Sequence, residues 1–272
     1  MTPRDALRDA ARRFAFSDTA RLDAELLLAH ALGLSRERLL LTLDDQHVPA
    51  TFAGFVDRRA AQEPVAYITG TRAFWTIDLL VGPGVLIPRA DSETLIEVAV
   101  DHFAGTPGPA RVLDLGTGPG TLLLAALDQW PGARGEGVDA SDTALDYARR
   151  NAAALGLGDR ARFRVGDWAA GIDTRFDLVL ANPPYVESDA VLPDEVARYE
   201  PAGALFAGAD GLDDYRRIAA QLSALIAPGG VACVEIGAEQ GRSAAALFRA
   251  RGLSVSIRRD LGDRDRCLVV TG

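Results

Sequence analysis

The segment Asn182-Pro183-Pro184-Tyr185 combines residue types that suit chemistry on a planar amino group. The Asn182 side-chain oxygen and the Pro183 backbone carbonyl are hydrogen-bond acceptors without acidic protons. If each accepts one N–H, the nitrogen is held and its lone pair can be aimed at a methyl donor. Proline biases Asn182 toward an extended backbone, and the Tyr185 ring can pack against a flat substrate group. Alone, the tetrapeptide is equally compatible with a Pro-Pro loop that ends a strand.

A glycine-rich turn lies upstream, after the apolar run Arg111–Leu113. Gly116-Thr117-Gly118-Pro119-Gly120 is spaced GxGxG, which differs from the GxGxxG of a dinucleotide fingerprint. Such glycines let the backbone approach a ligand closely where a strand ends and a helix begins. The turn suits a nucleotide-like cofactor. With the Asn182 loop downstream of it, the two motifs predict an S-adenosylmethionine-dependent N-methyltransferase.

Acidic residues end the next two candidate strands. Asp139 follows Gly135–Val138, where a carboxylate can accept hydrogen bonds from ribose hydroxyls. Asp167 and Trp168 end a third apolar run, where the acid can accept from an adenine amino group and the indole can stack on the purine. Each has a plainer interpretation, since Asp139 could cap a helix and Trp168 could be ordinary core. Three such features at three successive strand ends favour a cofactor site.

Periodicity divides the chain into two regimes that would position these residues. Apolar residues recur at helical spacing in the first part, and alternation then indicates a β-hairpin or linker. Strand and helix patterns alternate afterwards, which predicts a parallel sheet with crossover helices. The last two strands are too close for a helix between them and should pair antiparallel. The predicted domains are 1–64 (helical, substrate recognition), 65–88 (hairpin or linker) and 89–272 (methyltransferase). The predicted helices are 4–14, 18–32, 36–43 and 51–62, and the predicted strands are 111–116, 134–139, 161–166, 176–181, 230–236, 253–259 and 266–271.

Charge and composition exclude several classes of function. The 272 residues carry a net charge of −9, and all 29 basic residues are arginine. The absence of lysine excludes Schiff-base chemistry and a Walker-type phosphate lysine, and the acidic balance argues against a duplex-DNA enzyme. Cys233 and Cys267 lie in apolar runs and are predicted to be buried free thiols. Three scattered histidines predict no metal site. Without a signal peptide or a membrane-length apolar run, we expect a cytoplasmic protein.

The whole chain resembles the HemK/PrmC family of protein-(glutamine-N5) methyltransferases, which modify the Gly-Gly-Gln motif of peptide chain release factors. The segments Pro64–Gly70 and Leu86–Glu93 are not generic to methyltransferases, so the match is specific. Pro119 and Ser92 depart mildly from the family pattern, and Ser92 stands where Thr is more usual. The segments are Pro64–Gly70, Phe74-Trp75, Leu86–Glu93, Asp114–Gly120, Asn182–Tyr185, Arg259–Leu261 and Asp263–Arg266.

The resemblance implies an α/β fold, in which a seven-stranded class I, Rossmann-like methyltransferase domain follows a small all-α domain that grips the protein substrate. It implies S-adenosyl-L-methionine as cofactor and a peptide chain release factor as partner, with no nucleic-acid substrate and no membrane. Gly116–Gly120, Asp139, Trp168 and Asn182 would contact the cofactor, and Asn182–Tyr185 would receive the glutamine amide. Arg89 and Glu93 could form a salt bridge that closes the hairpin over the cofactor, or could line the amide pocket; the structural role is favoured.

Three other functions use related residues. A glutamine methyltransferase of a ribosomal protein would share both chemistry and fold. An adenine-N6 DNA methyltransferase would use the same Asn-Pro-Pro-Tyr logic, but it would need a recognition domain and a means of extruding the base. A nicotinamide-dependent oxidoreductase, or a cofactor-binding module without catalysis, is disfavoured by the GxGxG spacing and the intact Asn182 loop.

Overall fold

The chain divides into two units in the computed structural model, which describes residues 2–272. The first unit comprises Met1–Thr71 together with the distant segment Leu192–Glu200. Its helices are α1 (Pro3–Arg13), α2 (Ala20–Leu32), α3 (Arg36–Leu41), α4 (Thr51–Ala60), α5 (Val65–Thr69) and α9 (Asp194–Tyr199). The second unit comprises Arg72–Val191 and Pro201–Gly272 and contains the central sheet.

The helical unit forms because its helices are capped by the sequence and share one apolar core. The Thr2 hydroxyl accepts a hydrogen bond from the Asp5 amide at the start of α1, and Gly33 ends α2 in the left-handed conformation. Leu7, Leu27 and Leu39, from three different helices, are fully buried in that core. Burial of the apolar faces, rather than helix propensity, therefore stabilises these short helices.

A buried arginine explains why a distant segment belongs to the helical unit. The Arg59 guanidinium in α4 pairs with the carboxylate of Asp23, at 2.8 Å, and with that of Glu195 in α9, at 2.7 Å. The Tyr199 hydroxyl also donates to the Ala61 carbonyl at 2.9 Å. Because Arg59 and Asp23 are both nearly inaccessible to solvent, loss of Arg59 would leave the Asp23 carboxylate as a buried charge without a counter-ion.

Two sequence predictions in this region differ from the structure. The third helix ends at Leu41, and a separate 3-10 turn covers Leu43–Asp45. Val65–Thr69, which the alternation placed in the hairpin or linker, form helix α5, because Ala66, Tyr67 and Ile68 are buried in consecutive order rather than on one face of a strand. The hairpin follows as β1 (Thr71–Phe74) and β2 (Ile77–Leu80).

The second unit is built around a seven-stranded sheet of order β5-β4-β3-β6-β7-β9-β8. Its strands are β3 (Arg111–Leu115), β4 (Arg134–Asp139), β5 (Ala161–Val165), β6 (Phe176–Ala181), β7 (Ile226–Glu235), β8 (Ser254–Arg259) and β9 (Asp265–Thr271). Its helices are α6 (Glu93–His102), α7 (Thr121–Gln129), α8 (Asp142–Ala154), α10 (Asp213–Leu225) and α11 (Gly241–Arg249). The predicted seven-stranded α/β fold is confirmed.

The register of the sheet places the functional loops together. Strands β3 to β7 are parallel, whereas β9 pairs antiparallel with both β7 and β8, as the short final connection predicts. Strand order reverses between β3 and β6. In open parallel sheets, ligands bind at the carboxyl ends of the strands beside such a switch point. The glycine turn follows β3 and the Asn182 loop follows β6, so the two motifs flank this point.

The apolar runs of the sequence form the interior of the sheet. Cys233 in β7 and Cys267 in β9 are buried free thiols, as predicted. Within residues 2–272, no helix combines the length and apolar character needed to cross a bilayer.

Candidate active site

A cavity of about 390 Å³ opens at the carboxyl ends of β3, β4, β5 and β6, all within the second unit. This volume is in the range of small-molecule sites. Most of the predicted site residues line it: Gly116, Thr117, Gly118, Pro119, Asp139, Asp167, Trp168, Asn182 and Pro184. Gly120, Pro183 and Tyr185 lie beside those residues in the chain but do not line the cavity. The structure thus brings together residues that the sequence places across almost seventy positions.

The glycine turn is held in place by backbone hydrogen bonds to the neighbouring strand β4. The amides of Gly116 and Thr117 both donate to the Val138 carbonyl, at 2.8 and 3.0 Å, which ties the end of β3 to β4. Gly116 has a φ of +70°, and a Cβ there would lie 3.1 Å from the Trp168 ring. A side chain at this position would be strained by the positive φ and would press against the Trp168 ring. Glycine avoids both effects.

Asp114 is buried beneath this turn with half of its carboxylate unsatisfied. One oxygen accepts hydrogen bonds from the Thr117 hydroxyl at 2.6 Å and the Leu123 amide at 3.1 Å. The other, Oδ1, has no hydrogen-bond partner in the described part of the chain, although Asp114 is among the residues that line the cavity. Burial raises the pKa of Asp114 to about 7, and the two hydrogen bonds oppose that rise. An unpaired buried oxygen of this kind suits a cationic ligand group.

The raised pKa of Asp114 predicts that the unliganded protein loses stability with rising pH. A carboxyl with a raised folded-state pKa stabilises fully below its ordinary value of 3.8, and that stability is lost as pH rises through about 7. We expect the free energy of unfolding in urea to fall between roughly pH 4 and pH 7, by about 1.4 kcal/mol for each pH unit in which the folded carboxyl is protonated and the unfolded one is not. Asp114→Asn, which does not titrate, should show a shallower fall. Parallel curves for the two proteins would contradict this assignment.

Asp139 and Trp168 take the positions that the strand ends predict. The Asp139 carboxylate accepts from the Gly118 amide at 2.8 Å and from the Ser141 amide at 2.9 Å, so it also fixes the glycine turn. Trp168 has a φ of +51°, which is uncommon for a tryptophan, and its ring lies against Gly116. This backbone strain is held by the surrounding packing and turns the indole toward the cavity.

Two residues of α10 were missed by the sequence analysis. Asp214 accepts a hydrogen bond from the Trp168 indole at 3.1 Å, and burial raises the pKa of its carboxyl. Arg217 forms an ion pair with Asp167, and both α10 residues line the cavity. The Asp167 carboxylate, assigned from sequence to the adenine amino group, therefore has an arginine partner in this structure. No spacing signal links α10 to residues about fifty positions earlier.

The Asn182 loop has one side in the cavity and the other in the protein interior. The Asn182 side-chain amide donates to the Ser92 hydroxyl at 3.2 Å. Burial raises the pKa of Tyr185 to about 12, so the phenol stays neutral. The Tyr185 carbonyl accepts from the Gln240 side chain at 3.0 Å, and a Cβ on Gly211 would lie only 2.4 Å from that carbonyl. The hydrogen bond from Gln240 and the close packing of Gly211 therefore hold the Tyr185 backbone on the interior side of the loop.

Leu86–Glu93 connects the β1–β2 hairpin region to α6, and part of it reaches the cavity. Leu86, Pro88 and Arg89 line the cavity. The Glu93 carboxylate accepts a hydrogen bond from the Trp75 backbone amide at 2.9 Å, which ties the turn of the β1–β2 hairpin to the start of α6. Glu93 therefore has an architectural contact, whereas Arg89 belongs to the wall of the site.

Comparisons with known proteins agree with this geometry. The PrmC N-terminal domain matches residues 5–70, and the methyltransferase small domain matches residues 91–199. A ribosomal protein L11 methylase from Lactobacillus delbrueckii subsp. bulgaricus superimposes with a TM-score of 0.51 at 20% identity, over 70% of this chain and 83% of that one. A Thermus thermophilus 16S rRNA N2 G1207 methyltransferase, in complex with AdoMet and guanosine, gives 0.51 at 20% identity, over 73% of this chain and 48% of that one. The fold and site define an enzyme of the class I methyltransferases.

Two curated relatives are similar over most of the chain. A release factor glutamine methyltransferase of Rhodospirillum rubrum is 48% identical over 255 residues, which is 92% of this chain and 78% of that protein. One of Cereibacter sphaeroides is 44% identical over 274 residues, 98% of this chain and 97% of that protein. The chain belongs to the release factor glutamine methyltransferase family.

Proposed function

We propose that this protein transfers the methyl group of S-adenosylmethionine to the side-chain amide nitrogen of the glutamine in the Gly-Gly-Gln motif of peptide chain release factors. The observation that carries the proposal is similarity over nearly the whole chain to proteins named for this activity. The Asn182 loop supports it independently, because it stands at the wall of the same cavity as the glycine turn.

The cavity fits the cofactor by the chemistry of its donor set. Asp139 offers a carboxylate for ribose hydroxyls, and Trp168 offers a flat ring for a purine. The unpaired oxygen of Asp114 suits a cationic amino group. The glycine turn leaves room at Gly118, where a Cβ would meet nothing within 4 Å. When bound, S-adenosylmethionine supplies an electrophilic methyl group on a sulfonium.

The Asn182 loop would orient the substrate rather than activate it with a base. An amide nitrogen is a poor nucleophile because its lone pair is delocalised. The Asn182 Oδ1 and the Pro183 carbonyl would accept its two N–H groups, so that the lone pair is directed at the donor. Tyr185, kept neutral by its raised pKa, would contribute packing and not proton transfer. The loop therefore lowers the barrier through position and preorganised acceptors.

We assign recognition of the release factor to the helical unit. A single glutamine side chain offers little surface, so selection of one glutamine requires contacts away from the reacting nitrogen. Four of the exposed large apolar side chains lie on this unit: Phe16, Leu22, Leu40 and Leu41. Exposed apolar and aromatic side chains are typical anchors of protein interfaces. The domain boundary at residue 64, like this role, remains a prediction.

The competing functions have less support. The likeness to a ribosomal protein L11 methylase, at 20% identity, shows the fold alone. A DNA substrate disagrees with a net charge of −9. Incubation with labelled S-adenosylmethionine and purified release factors, followed by peptide mass spectrometry, tests the proposal. We expect one methyl group on the glutamine of the Gly-Gly-Gln motif. Label found only on a ribosomal protein or on DNA would overturn it.

Asp139→Ala is expected to weaken cofactor binding much more than it slows catalysis. Ribose contacts are made equally in the ground state and the transition state, so their loss raises Kd and leaves kcat nearly unchanged. We expect a roughly tenfold rise in the Kd for S-adenosylmethionine, which corresponds to about 1.4 kcal/mol. Isothermal titration calorimetry measures Kd. Asp142→Ala, in the first turn of α8, is the matched control and should bind normally.

Trp168→Ala should also weaken binding, through loss of stacking. Base–aromatic stacking contributes about 1–3 kcal/mol in nucleic-acid complexes, so a loss of roughly tenfold in affinity is expected. Trp168→Phe keeps a ring but loses the hydrogen bond to Asp214, and it should recover most of the affinity. Equal losses in Trp168→Phe and Trp168→Ala would show that the bond to Asp214, and not the ring, is what matters.

A further inference from the structure

One face of α10 carries three polar side chains that no step of the proposed reaction uses. Asp214, Arg217 and Gln221 are spaced by three and four residues, so they lie on the same side of the helix. The opposite side is apolar and packs into the core of the second unit through Tyr215, Ile218, Ala219, Leu222 and Leu225. A helix anchored along that side presents its polar face as a fixed surface beside the cavity.

The polar face holds both the backbone and the indole of the loop that follows β5. The Gln221 side-chain oxygen accepts a hydrogen bond from the Ala169 amide at 2.9 Å. The Asp214 carboxylate accepts one from the Trp168 indole at 3.1 Å. The φ of +51° at Trp168 is unfavourable for a residue with a side chain, so these contacts help to keep the indole at the cavity wall.

Arg217 binds two carboxylates at once. Its Nη1 lies 3.4 Å from the Asp214 Oδ1, and its Nη2 is paired with the Asp167 Oδ1. A guanidinium is planar and carries five N–H donors in a fixed fork, so it can hold two acceptors in a defined relation. Because Asp214 also binds the Trp168 indole, Arg217 fixes the position of the Asp167 carboxylate relative to that ring.

The Asp167 carboxylate keeps acceptor capacity while it is paired. The ion pair uses Oδ1, and a carboxylate has two oxygens with about four acceptor positions in all. The Asp167 side chain is 66% exposed and lines the cavity, so a ligand can reach it. An ionised carboxylate accepts hydrogen bonds and donates none. It therefore favours a purine that presents an amino group over one that presents a carbonyl oxygen.

We infer that Arg217 is a positioning residue that sets the preference of the cavity for an amino-purine, because it holds the Asp167 carboxylate beside the Trp168 ring as a fixed acceptor. The inference rests on the proposed function for the presence of adenine in the ligand. An ion pair as exposed as this one adds little to protein stability. Its removal should therefore change ligand selection and leave the fold intact.

Equilibrium binding of two ligands that differ only in the purine tests the inference. S-adenosylhomocysteine carries the amino group of adenine, whereas S-inosylhomocysteine carries a carbonyl oxygen at that position. We expect the wild-type protein to prefer the adenine compound by roughly 30-fold in Kd, as for a hydrogen bond to a charged group. In Arg217→Ala, the ratio should fall below about fivefold. Calorimetry measures both Kd values, and stacking on Trp168 contributes to both, so it largely cancels in the ratio.

Arg216→Ala is the matched control. Arg216 is the neighbouring arginine on α10, is similarly exposed, and pairs with Asp210 and Asp213 rather than with the loop after β5. Its ratio should stay within about twofold of the wild-type value, as is usual for a surface substitution. An unchanged ratio in Arg217→Ala, or an equal fall in both variants, would contradict the inference.

A double variant shows whether Arg217 acts through Asp167. Asp167→Asn can turn its NH2 group toward a carbonyl oxygen, so on its own it should remove most of the preference for adenine. If Arg217 only positions that side chain, Arg217→Ala added to Asp167→Asn should change the ratio no further. A further fall in the double variant would mean that Arg217 contacts the purine itself, which would overturn the positioning role.

The Trp168 indole reports on the same network without any ligand. The sequence contains three tryptophans, Trp75, Trp130 and Trp168. Selective ¹⁵N-tryptophan labelling therefore gives three indole N–H signals. In Arg217→Ala, the Trp168 signal should shift, because its acceptor Asp214 loses the guanidinium partner. The Trp75 signal, from an indole that donates to Gln129, should stay in place. An unmoved Trp168 signal would contradict the network on which the inference depends.

Failure of this inference can be told apart from failure of the proposed function. A wild-type protein that binds neither compound would overturn the proposed function, and this inference with it. A wild-type protein that binds both compounds equally, or that keeps its preference for adenine in Arg217→Ala, would overturn the role of Arg217 alone.

Discussion

Asn182→Ala is expected to lower the rate of methyl transfer by roughly 10²–10³-fold, the range seen when one preorganised polar contact to a transition state is removed. The fold should persist, because Asn182 is only partly buried and its side chain makes a hydrogen bond to Ser92 that the surrounding structure does not depend on. Much of the cofactor affinity should also remain, since the glycine turn and Asp139 lie on other strands. Single-turnover assays with labelled S-adenosylmethionine measure the rate, and calorimetry measures the affinity.

Asn182→Asp is the closest control for that variant. It retains an acceptor oxygen of the same reach but adds a negative charge and loses the NH2 group that donates to Ser92. Residual activity is expected, and it should depend on pH, because the protonated acid has a donor that the amide oxygen lacks. Near-normal turnover in Asn182→Ala would remove the loop from the chemistry altogether.

The sequence was sufficient for those parts of the site that follow strand ends. Asp139, Trp168 and Asn182 each come directly after an apolar run, and parallel strands bring their carboxyl ends to one edge. The predicted strands agree with the observed ones for a related reason, because buried parallel strands are near-continuous apolar runs. That these residues line one cavity was therefore predictable from local patterns. β7 begins at Ile226 rather than near 230, because its first residues pair with Phe176 across an irregularity in the register.

The supporting side chains were not predictable in this way. Ser92 and Asn182 are 90 residues apart, and neither a period nor a motif spacing connects them. Glu235 reads as the polar end of a strand, and only the packing of β7 against β9 shows that it is buried. In the same way, no pattern in Asp194–Tyr199 predicts that these residues belong to the helical unit. They do so through Glu195, which pairs with Arg59, 136 positions earlier. Such contacts depend on tertiary packing, which single-sequence patterns do not encode.

The second large effect is expected from substitution of the two exposed leucines of α3, Leu40 and Leu41. Leu41 is 81% exposed and Leu40 is 41% exposed, whereas Leu39 beside them is fully buried in the core of the helical unit. Two adjacent exposed leucines on a six-residue helix contribute nothing to that core, so an intermolecular contact is the function we assign to them. Their replacement by aspartate should leave the unit folded, because neither side chain is part of its core.

Leu40→Asp combined with Leu41→Asp is expected to lower kcat/KM on an intact release factor by roughly 30-fold, the effect of losing about 2 kcal/mol of interface anchor. The loss should appear in KM, since these contacts are the same in the ground state and the transition state. A short Gly-Gly-Gln peptide, which lacks the rest of the release factor surface, should be a poor substrate for both proteins, with no difference between them. Leu40→Met with Leu41→Met keeps the apolar surface and should restore the rate on the intact factor. If the aspartate variant instead methylates the intact factor normally, recognition lies on another surface of the protein.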